Sequence, residues 1–207
     1  MYTPEVFAEH DLLEIASMMR SVGLATLVTH SSDGLLATPL PLLFHEDEGE
    51  HGVLHGHIAR ANSQWKFEAI GDAMAIFQGL NAYVSPVWYP SKAENGRVVP
   101  TWNYLAVHAY GPVEFYEDPD RLLEVVSALT DRFEGGRFDR WSVQDAPPGY
   151  IEAQLRGIIG VRIPIRRFDA KKKLSQNQPS PNRSGVKAGL SESDRAEDRA
   201  LARIIPA

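Results

Sequence analysis

The chain contains no cysteine, which excludes a disulfide framework, a thiolate nucleophile and a Cys-ligated zinc site. It has no apolar run of about 18 residues, the length that a membrane-crossing helix needs. The segment Met1–Glu5 carries neither the basic region nor the apolar stretch of a secretory signal. These absences predict a soluble, cytoplasmic protein with no membrane partner.

Glycine-rich phosphate loops are also absent. Neither G-x-G-x-x-G nor G-x-x-x-x-G-K-[ST] occurs, so the chain does not bind a nucleotide in the Rossmann or P-loop manner. Ser31 and Ser175 lack the context of a nucleophile elbow, which disfavours a hydrolase triad.

The charge is unevenly distributed along an otherwise ordinary globular composition. The 207 residues are 43% hydrophobic and 23% charged, which fits one domain with a tail. The net charge is −6, but the segment Arg166–Lys187 holds seven basic residues and one acid, Asp169. A uniform nucleic-acid-binding surface is therefore disfavoured, and DNA phosphates are within reach of this basic segment alone.

Periodicity and turn signals predict mostly strands. Helices are expected from Asp11 to Val22, from Ala61 or Asn62 to just before Gly71, from Asp118 to just before Gly135, and near Gly149–Arg156. Strands are expected at 24–28, 35–44, 53–59, 73–78, 81–85, 105–116 and 158–168, with a loop at 86–97. Pro39 and Pro41 predict that their strand lies at a sheet edge. This pattern favours a mainly β fold, a small antiparallel barrel with peripheral helices.

The composition changes near the C-terminus. Residues 171–189 are rich in Ser, Pro, Asn, Gln and Lys, which is typical of an extended arm or linker. Ser191 and Asp194 then predict the cap of a short helix ending near Ile205. We therefore expect a domain over residues 1–170 and a polar, basic arm over residues 171–207.

Two polar segments, His55–Asn62 and Val99–Tyr104, stand within or beside runs that otherwise resemble buried strands. Such polar groups cost free energy when they are buried without partners, so they indicate a pocket for a flat, anionic ligand. A phosphate would contact the Arg60 guanidinium, with His57 at the strand end and helix-terminal amides at 61–63. The alternative is that Arg60 and Asn62 only cap a surface helix.

The histidines and aromatic residues leave further interpretations open. His55 and His57 lie on one side of a strand, near His51, with His108 or Glu114 as a third metal ligand, but a hydrogen-bonded pair is the commoner outcome and no metal is expected. The aromatic residues Trp88, Tyr89, Trp102 and Tyr104 would either stack on a ring system or fill a dimer interface.

Several segments carry a family resemblance. They are Met1–Pro4 with Phe7, Gly56–Asn62 with Trp65, Tyr83–Pro86 with Trp88 and Tyr89, Val99–Tyr104, and Lys173–Asn177. In this order they resemble the FMN-binding negative transcriptional regulators, the PaiB-like family, over residues 1–180. One departure is that Ser63 and Gln64 follow Asn62, where many relatives have proline.

The resemblance implies an antiparallel split β-barrel of the pyridoxamine-phosphate-oxidase kind, over an FMN-binding domain at 1–170. It also implies a homodimer with FMN between subunits, and some members are linked to repression of sporulation and extracellular-protease genes. Backbone groups near Thr38–Leu40 would face the ring, Arg60 the phosphate, and a partner subunit would complete the ring's edge. The expected FMN-contacting residues are Thr38, Pro39, Leu40, His57, Arg60, Ala61, Asn62, Trp65, Ser85, Trp102, Asn103, Lys173 and Gln176.

Three functions remain open at this level: a flavin- or redox-sensing regulator, an FMN-dependent oxidoreductase acting on a small molecule, and a haem or metal protein using His57 or His55. The sequence has no helix-turn-helix pattern, and the outer face of the 118–135 helix is acidic. For the basic segment, a solvated tail or a strap exchanged between subunits is favoured over DNA contact.

Overall fold

The computed structural model describes residues 1–147 and 149–206. The strands are β1 Ala25–Ser31, β2 Gly34–Leu40, β3 Leu42–His45, β4 Val53–Ala59, β5 Ala73–Val84, β6 Thr101–Gly111, β7 Glu114–Tyr116, β8 Ile158–Pro164 and β9 Arg167–Lys173. The helices are α1 Leu12–Ser21, α2 Ser91–Asn95, α3 Pro119–Glu134, α4 Tyr150–Leu155, α5 Ser180–Ser191 and α6 Ala196–Ile204. Over the described ranges, no helix is long and apolar enough to cross a membrane.

The strands form a five-stranded sheet in the order β2-β1-β5-β6-β9 and a four-stranded sheet in the order β3-β4-β8-β7. The recorded pairings β1–β2, β1–β5, β3–β4, β4–β8 and β7–β8 are antiparallel. The β1–β2 hairpin turns at Ser32 and Asp33, where Gly34 has φ 109°, a conformation that glycine accommodates. The prediction of a mainly β, antiparallel α+β fold is confirmed, and Pro39 lies on an edge strand as expected.

The chain divides into two compact units. Unit 1 comprises Met1–Met18, Gln78–Val107 and Asp169–Ala207, and unit 2 comprises Met19–Phe77 and His108–Phe168. Strands β5, β6 and β9 each contribute residues to both units.

In unit 2, helix α3 packs its apolar face on neighbouring elements. Asp118 caps the helix by accepting a hydrogen bond from the Arg121 backbone N–H at 2.9 Å. Leu122, Val125 and Leu129 are buried, and the last two cluster with Leu43 of β3. This burial follows from their spacing of three and four residues, which places them on one stripe of the helix.

In unit 1, the C-terminal region is folded and packed. Val186, Leu190 and Leu201 are fully buried on α5 and α6. Gly189 lies against the Trp88 indole so closely that an added Cβ would stand 2.4 Å from it. The expected extended arm at 171–189 is therefore wrong, because a few well-spaced apolar residues and small glycines are enough to bury a helix of polar composition.

Several element boundaries also differ from the expectations. The predicted helix after Ala61 is only a 3₁₀ turn at Ser63–Lys66, and the strand predicted at 35–44 divides at Pro41 into β2 and β3. The strands predicted at 73–78 and 81–85 are one strand, β5. The strand predicted at 158–168 ends at Pro164, and the loop predicted at 86–97 contains α2. Proline cannot donate a backbone hydrogen bond, which explains the division at Pro41 and the end of β8 at Pro164.

Candidate functional site

In unit 2, a network of side-chain hydrogen bonds centred on a buried amide lies just after the end of β4. The Gln64 Nε2 donates to Thr29 Oγ1 at 2.9 Å, and Gln64 Oε1 accepts from Thr38 Oγ1 at 2.5 Å. Asn62 donates to Thr38 Oγ1 at 2.8 Å and accepts from the Gln64 N–H at 2.9 Å. The structure thus brings the predicted Thr38 and Asn62 together through Gln64, which the sequence interpretation missed. The Asn62–Ser63–Gln64 turn was the available signal.

Arg60 is already paired in unit 2. Its guanidinium contacts the Glu117 carboxylate and donates to the carbonyl oxygens of Arg156 at 2.6 Å and Ile158 at 3.4 Å. It also lines a cavity of about 500 Å³, the Arg60 cavity, whose wall includes Glu117, Asp120 and Glu152. A phosphate would therefore compete with Glu117 for the Arg60 guanidinium.

The backbone amides expected beside Arg60 are not arranged as a helix N-terminus. The Asn62 N–H donates to the Ala59 carbonyl at 2.9 Å, and the Gln64 N–H donates to the Asn62 side chain. Trp65 donates its indole N–H to the Arg60 carbonyl at 3.0 Å. Of the three amides predicted to face a phosphate at 61–63, the Asn62 N–H is therefore engaged locally, and the segment forms a four-residue 3₁₀ turn in place of the expected helix.

The two histidines of β4 have different surroundings. Burial lowers the pKa of His57, whose Nδ1 is buried without a hydrogen-bond partner among the described residues. Burial also lowers the pKa of His55, opposed by Glu48, whose Oε2 lies 3.0 Å from His55 Nε2. No group of three or more metal-ligating His, Cys, Asp or Glu side chains occurs within residues 1–147 and 149–206.

Unit 1 contains a polar cavity of about 470 Å³, which we call the Lys173 cavity. Its wall is formed by Phe7, Tyr89, Ser91, Asn95, Arg97, Val98, Val99, Thr101, Asn103, Lys173, Ser175, Asn177, Gln178, Pro179 and Asn182. The predicted residues Asn103 and Lys173 meet here. Ser91, Arg97 and Ser175 were not predicted as site residues, although Ser175 belongs to the Lys173–Asn177 segment.

Lys173 reaches the cavity from the end of β9. Its ammonium donates to Thr101 Oγ1 at 2.5 Å and to the Trp102 carbonyl. Burial lowers the pKa of Lys173, and the nearby Lys171 charge lowers it further. Among the described residues, no carboxylate forms an ion pair with this ammonium.

The remaining polar groups near β9 are fixed by local bonds. Asn103 is fully buried and donates to Ser175 Oγ at 2.9 Å, while Ser175 has φ 62°, in the left-handed region. Gln176, a predicted ring contact, forms side-chain hydrogen bonds within its own segment. Its Oε1 accepts from the Leu174 N–H at 2.6 Å, and its Nε2 donates to the Lys172 carbonyl.

The aromatic residues divide into packing and surface groups. Trp88 lies under α5, so its role is packing, and Tyr89 is buried in the cavity wall. Trp102 is 48% exposed and meets Tyr83 edge-on at 6.2 Å, which leaves an accessible aromatic surface. The predicted Ser85 accepts a hydrogen bond from the Val87 N–H at 3.4 Å, which caps a 3₁₀ turn.

Comparison with known proteins identifies relatives over the full length of the chain. Residues 1–167 match a family described as "Putative FMN-binding domain". The chain is 34% identical over 206 residues to the protease synthase and sporulation protein PAI 2 of Bacillus subtilis, covering 99% of this chain and 96% of that protein. It is 28% identical to the uncharacterized protein AN0679 of Emericella nidulans, with 99% and 96% covered.

Solved structures share the fold at low sequence identity. The flavocytochrome Anf3 from Azotobacter vinelandii superposes with a TM-score of 0.60 at 16% identity, covering 94% of this chain and 75% of that one. The conserved hypothetical protein Rv2991 from Mycobacterium tuberculosis gives a TM-score of 0.57 at 16% identity, with 86% and 94% covered. These likenesses establish the fold, and the predicted split-barrel class is confirmed. The family match over residues 1–167 and the 34% identity to PAI 2 confirm the resemblance: the chain belongs to the PaiB-like family of FMN-binding proteins, and FMN is its cofactor.

Proposed function

We propose that this protein is a homodimeric, FMN-dependent negative regulator of transcription, which responds to the flavin or its redox state. The observation that carries the proposal is the 34% identity, over 99% of the chain, to a protein named for protease synthesis and sporulation. The family match to an FMN-binding domain supports the same assignment. Bound FMN would supply reversible electron transfer, which a regulator can use as a signal.

The residues present fit the chemistry of FMN. A flavin needs cations and hydroxyl donors for its phosphate, and an aromatic surface with polar groups for its ring. In unit 2 the proposed contacts are Thr38, Pro39, Leu40, His57, Arg60, Ala61, Asn62 and Trp65. In unit 1 they are Ser85, Trp102, Asn103, Lys173 and Gln176. Two observations support this fit best: the Lys173 ammonium has no carboxylate partner in the described part of the chain, and the Trp102 indole is exposed.

Direct contact of DNA with the basic segment 166–187 gains little support. Arg166 pairs with Asp72 at 2.9 Å, and Lys172 pairs with Glu9 and Glu14 at 3.2 and 3.0 Å. Lys171 is buried among aromatic rings, 5.1 Å from the Tyr104 ring centre. Cations that are already paired gain less from phosphates, so regulation through a protein partner is compatible with the proposal.

The first experiment tests the cofactor and the dimer. Absorption spectra of the purified protein, before and after addition of FMN, should show bound flavin, and light scattering should give twice the chain mass. Arg60→Ala should weaken FMN but not riboflavin, whereas Glu117→Gln should strengthen FMN by removing the competing carboxylate. If Arg60→Ala retains wild-type FMN affinity, Arg60 does not hold the phosphate.

The second experiment tests regulation. Selection of bound fragments from a random duplex library, with oxidised and reduced FMN-loaded protein, should enrich sequences in one redox state only. Lysate components supplied in a parallel selection reveal whether a partner is required. Equal enrichment in both redox states, or none in either selection, would contradict flavin-dependent regulation.

An oxidoreductase acting on a small molecule is the second candidate. The observation that favours it is the Lys173 cavity, whose volume of about 470 Å³ suits a small ligand. Anaerobic mixing of the FMN-loaded protein with NADH or NADPH separates the candidates. Rapid bleaching of the flavin absorbance supports the enzyme, whereas an unchanged spectrum favours the regulator.

A further inference from the structure

The wall of the Lys173 cavity is positively charged. Its described lining residues include two cations, Lys173 and Arg97, and no Asp or Glu. Arg97 is exposed, and its side chain forms no recorded ion pair within the described part of unit 1. Most of the other lining side chains are hydroxyls, amides or apolar groups, so nothing on the wall offsets the two positive charges.

Carboxylates near β9 pair with groups other than Lys173. Lys172 forms ion pairs with Glu9 at 3.2 Å and Glu14 at 3.0 Å, and Asp169 pairs with the Met1 ammonium. The carboxylates near this strand are therefore engaged elsewhere. Among the described residues, Lys173 is half-buried, donates to two neutral oxygens and lies 5.9 Å from the centre of the Phe7 ring, so no carboxylate compensates its charge.

Two hydroxyl groups of the wall can donate to a ligand. Thr101 Oγ1 accepts from Lys173, and Ser91 Oγ accepts from Asn182 Nδ2 at 3.0 Å. A hydroxyl that accepts one bond still carries its own O–H donor. Among the described residues neither O–H has an acceptor, so each is available to an acceptor oxygen of a ligand in the cavity.

From this combination we propose that the Lys173 cavity binds the phosphate group of a phosphorylated small molecule. Lys173 forms the ion pair, Thr101 and Ser91 donate through their hydroxyls, and Arg97 supplies a second charge at the mouth. A phosphate fills only a small part of about 470 Å³, so the rest of the ligand occupies the remaining space. The phosphate has two sources to consider. One is FMN itself, which rests on the proposed function and would assign the FMN phosphate to Lys173 in place of Arg60; the other is a separate phosphorylated molecule.

The test measures phosphate binding without depending on flavin. Thermal midpoints are recorded with rising inorganic phosphate at constant ionic strength, for the wild type, Lys173→Met, Lys173→Arg and the control Lys187→Met on the exposed face of α5. Dissociation constants for FMN and riboflavin are measured on the same proteins. Lys173→Met should lower phosphate affinity about tenfold or more, which is typical of losing a charge-assisted hydrogen bond.

The outcomes separate the two sources. If Lys173→Met abolishes the preference for FMN over riboflavin, the flavin supplies the phosphate. If that preference remains and the response to inorganic phosphate disappears, a separate phosphorylated ligand occupies the cavity. In both cases Lys187→Met should behave as the wild type, and Lys173→Arg should keep part of the response.

The proposal is overturned if Lys173→Met responds to phosphate and FMN as the wild type does. It is also overturned if the wild type shows neither a phosphate response nor a preference for FMN over riboflavin. Where Lys173→Met does not fold, Lys173→Gln takes its place in the same comparison. If the wild type binds phosphate at Lys173 but binds no flavin, the proposed FMN-dependent function is wrong and the phosphate site is still supported.

Discussion

The Arg60 cavity in unit 2 and the Lys173 cavity in unit 1 have similar volumes, about 500 and 470 Å³, but opposite electrostatics. Arg60 contacts Glu117 in a cavity wall that holds three acids and one further cation, Arg156, whereas Lys173 has no carboxylate partner among the described residues. A cation in a sequence motif is therefore not by itself an anion site. What decides is whether the fold has already neutralised it.

The largest expected effect concerns the stabilising role of the buried Gln64 hydrogen-bond network in unit 2. Gln64→Leu should lower the free energy of unfolding by about 2 kcal/mol or more, because Thr29 and Thr38 lose their buried partner. Urea denaturation measures the change, with Gln144→Leu on an exposed turn as the control. A loss equal to that of the control would mean that the network contributes no stability.

The next prediction contrasts the two cations directly. Arg60→Met should destabilise the protein by about 1 kcal/mol, because it breaks a partly exposed ion pair and two bonds to carbonyl oxygens. Lys173→Met should cost less, because it also removes a poorly compensated charge. Urea denaturation of both variants in the flavin-free protein measures the two losses of stability. A larger loss for Lys173→Met than for Arg60→Met would contradict the proposed difference between the two cations.

A third prediction concerns acid pH and His57 in unit 2. Burial holds the pKa of His57 below its ordinary 6.5, so the unfolded chain binds the proton more readily than the folded chain. Stability should therefore be complete above about pH 6.5 and decrease as the pH falls through 6.5 toward the folded pKa. His57→Gln should flatten this part of a thermal-midpoint profile, and an unchanged slope would locate the titration elsewhere.

The smallest effect on stability is expected at Trp102 in unit 1. Because this side chain is 48% exposed, Trp102→Phe should change the free energy of unfolding by less than about 1 kcal/mol. If its indole contacts flavin, the variant should nevertheless restore part of the FMN fluorescence that the indole quenches. Equal quenching in the variant and the wild type would exclude that contact.

The sequence predicted several elements because their signals are local. The Ser32–Asp33 turn with Gly34 fixed the first hairpin, and the apolar spacing after Asp118 fixed α3. The prediction of an extended arm was wrong because α5 has few apolar residues, chiefly Val186 and Leu190. The packing of α5 also depends on a contact between Gly189 and Trp88, about a hundred residues away along the chain. Such a contact leaves no periodic signal.

The site divides in the same way. The motifs themselves named Arg60, Asn103 and Lys173, and the first two lie within the residues that match the family. Glu117 and Ser91 do not belong to those motifs, yet each changes what its neighbours can do: the Glu117 carboxylate neutralises Arg60, and the Ser91 hydroxyl adds a donor to the Lys173 cavity. Charge compensation depends on which side chains meet in space, so residue types alone could not predict it.

The amino-acid sequence by itself determined the fold class, the family and the cofactor, because turn residues, hydrophobic spacing and ordered motifs are read along the chain. Only the tertiary structure decided that Arg60 has a carboxylate partner and that Lys173 has none within residues 1–147 and 149–206. Electrostatic compensation acts through a few ångströms of space, and the partners that supply or withhold it lie far apart in sequence.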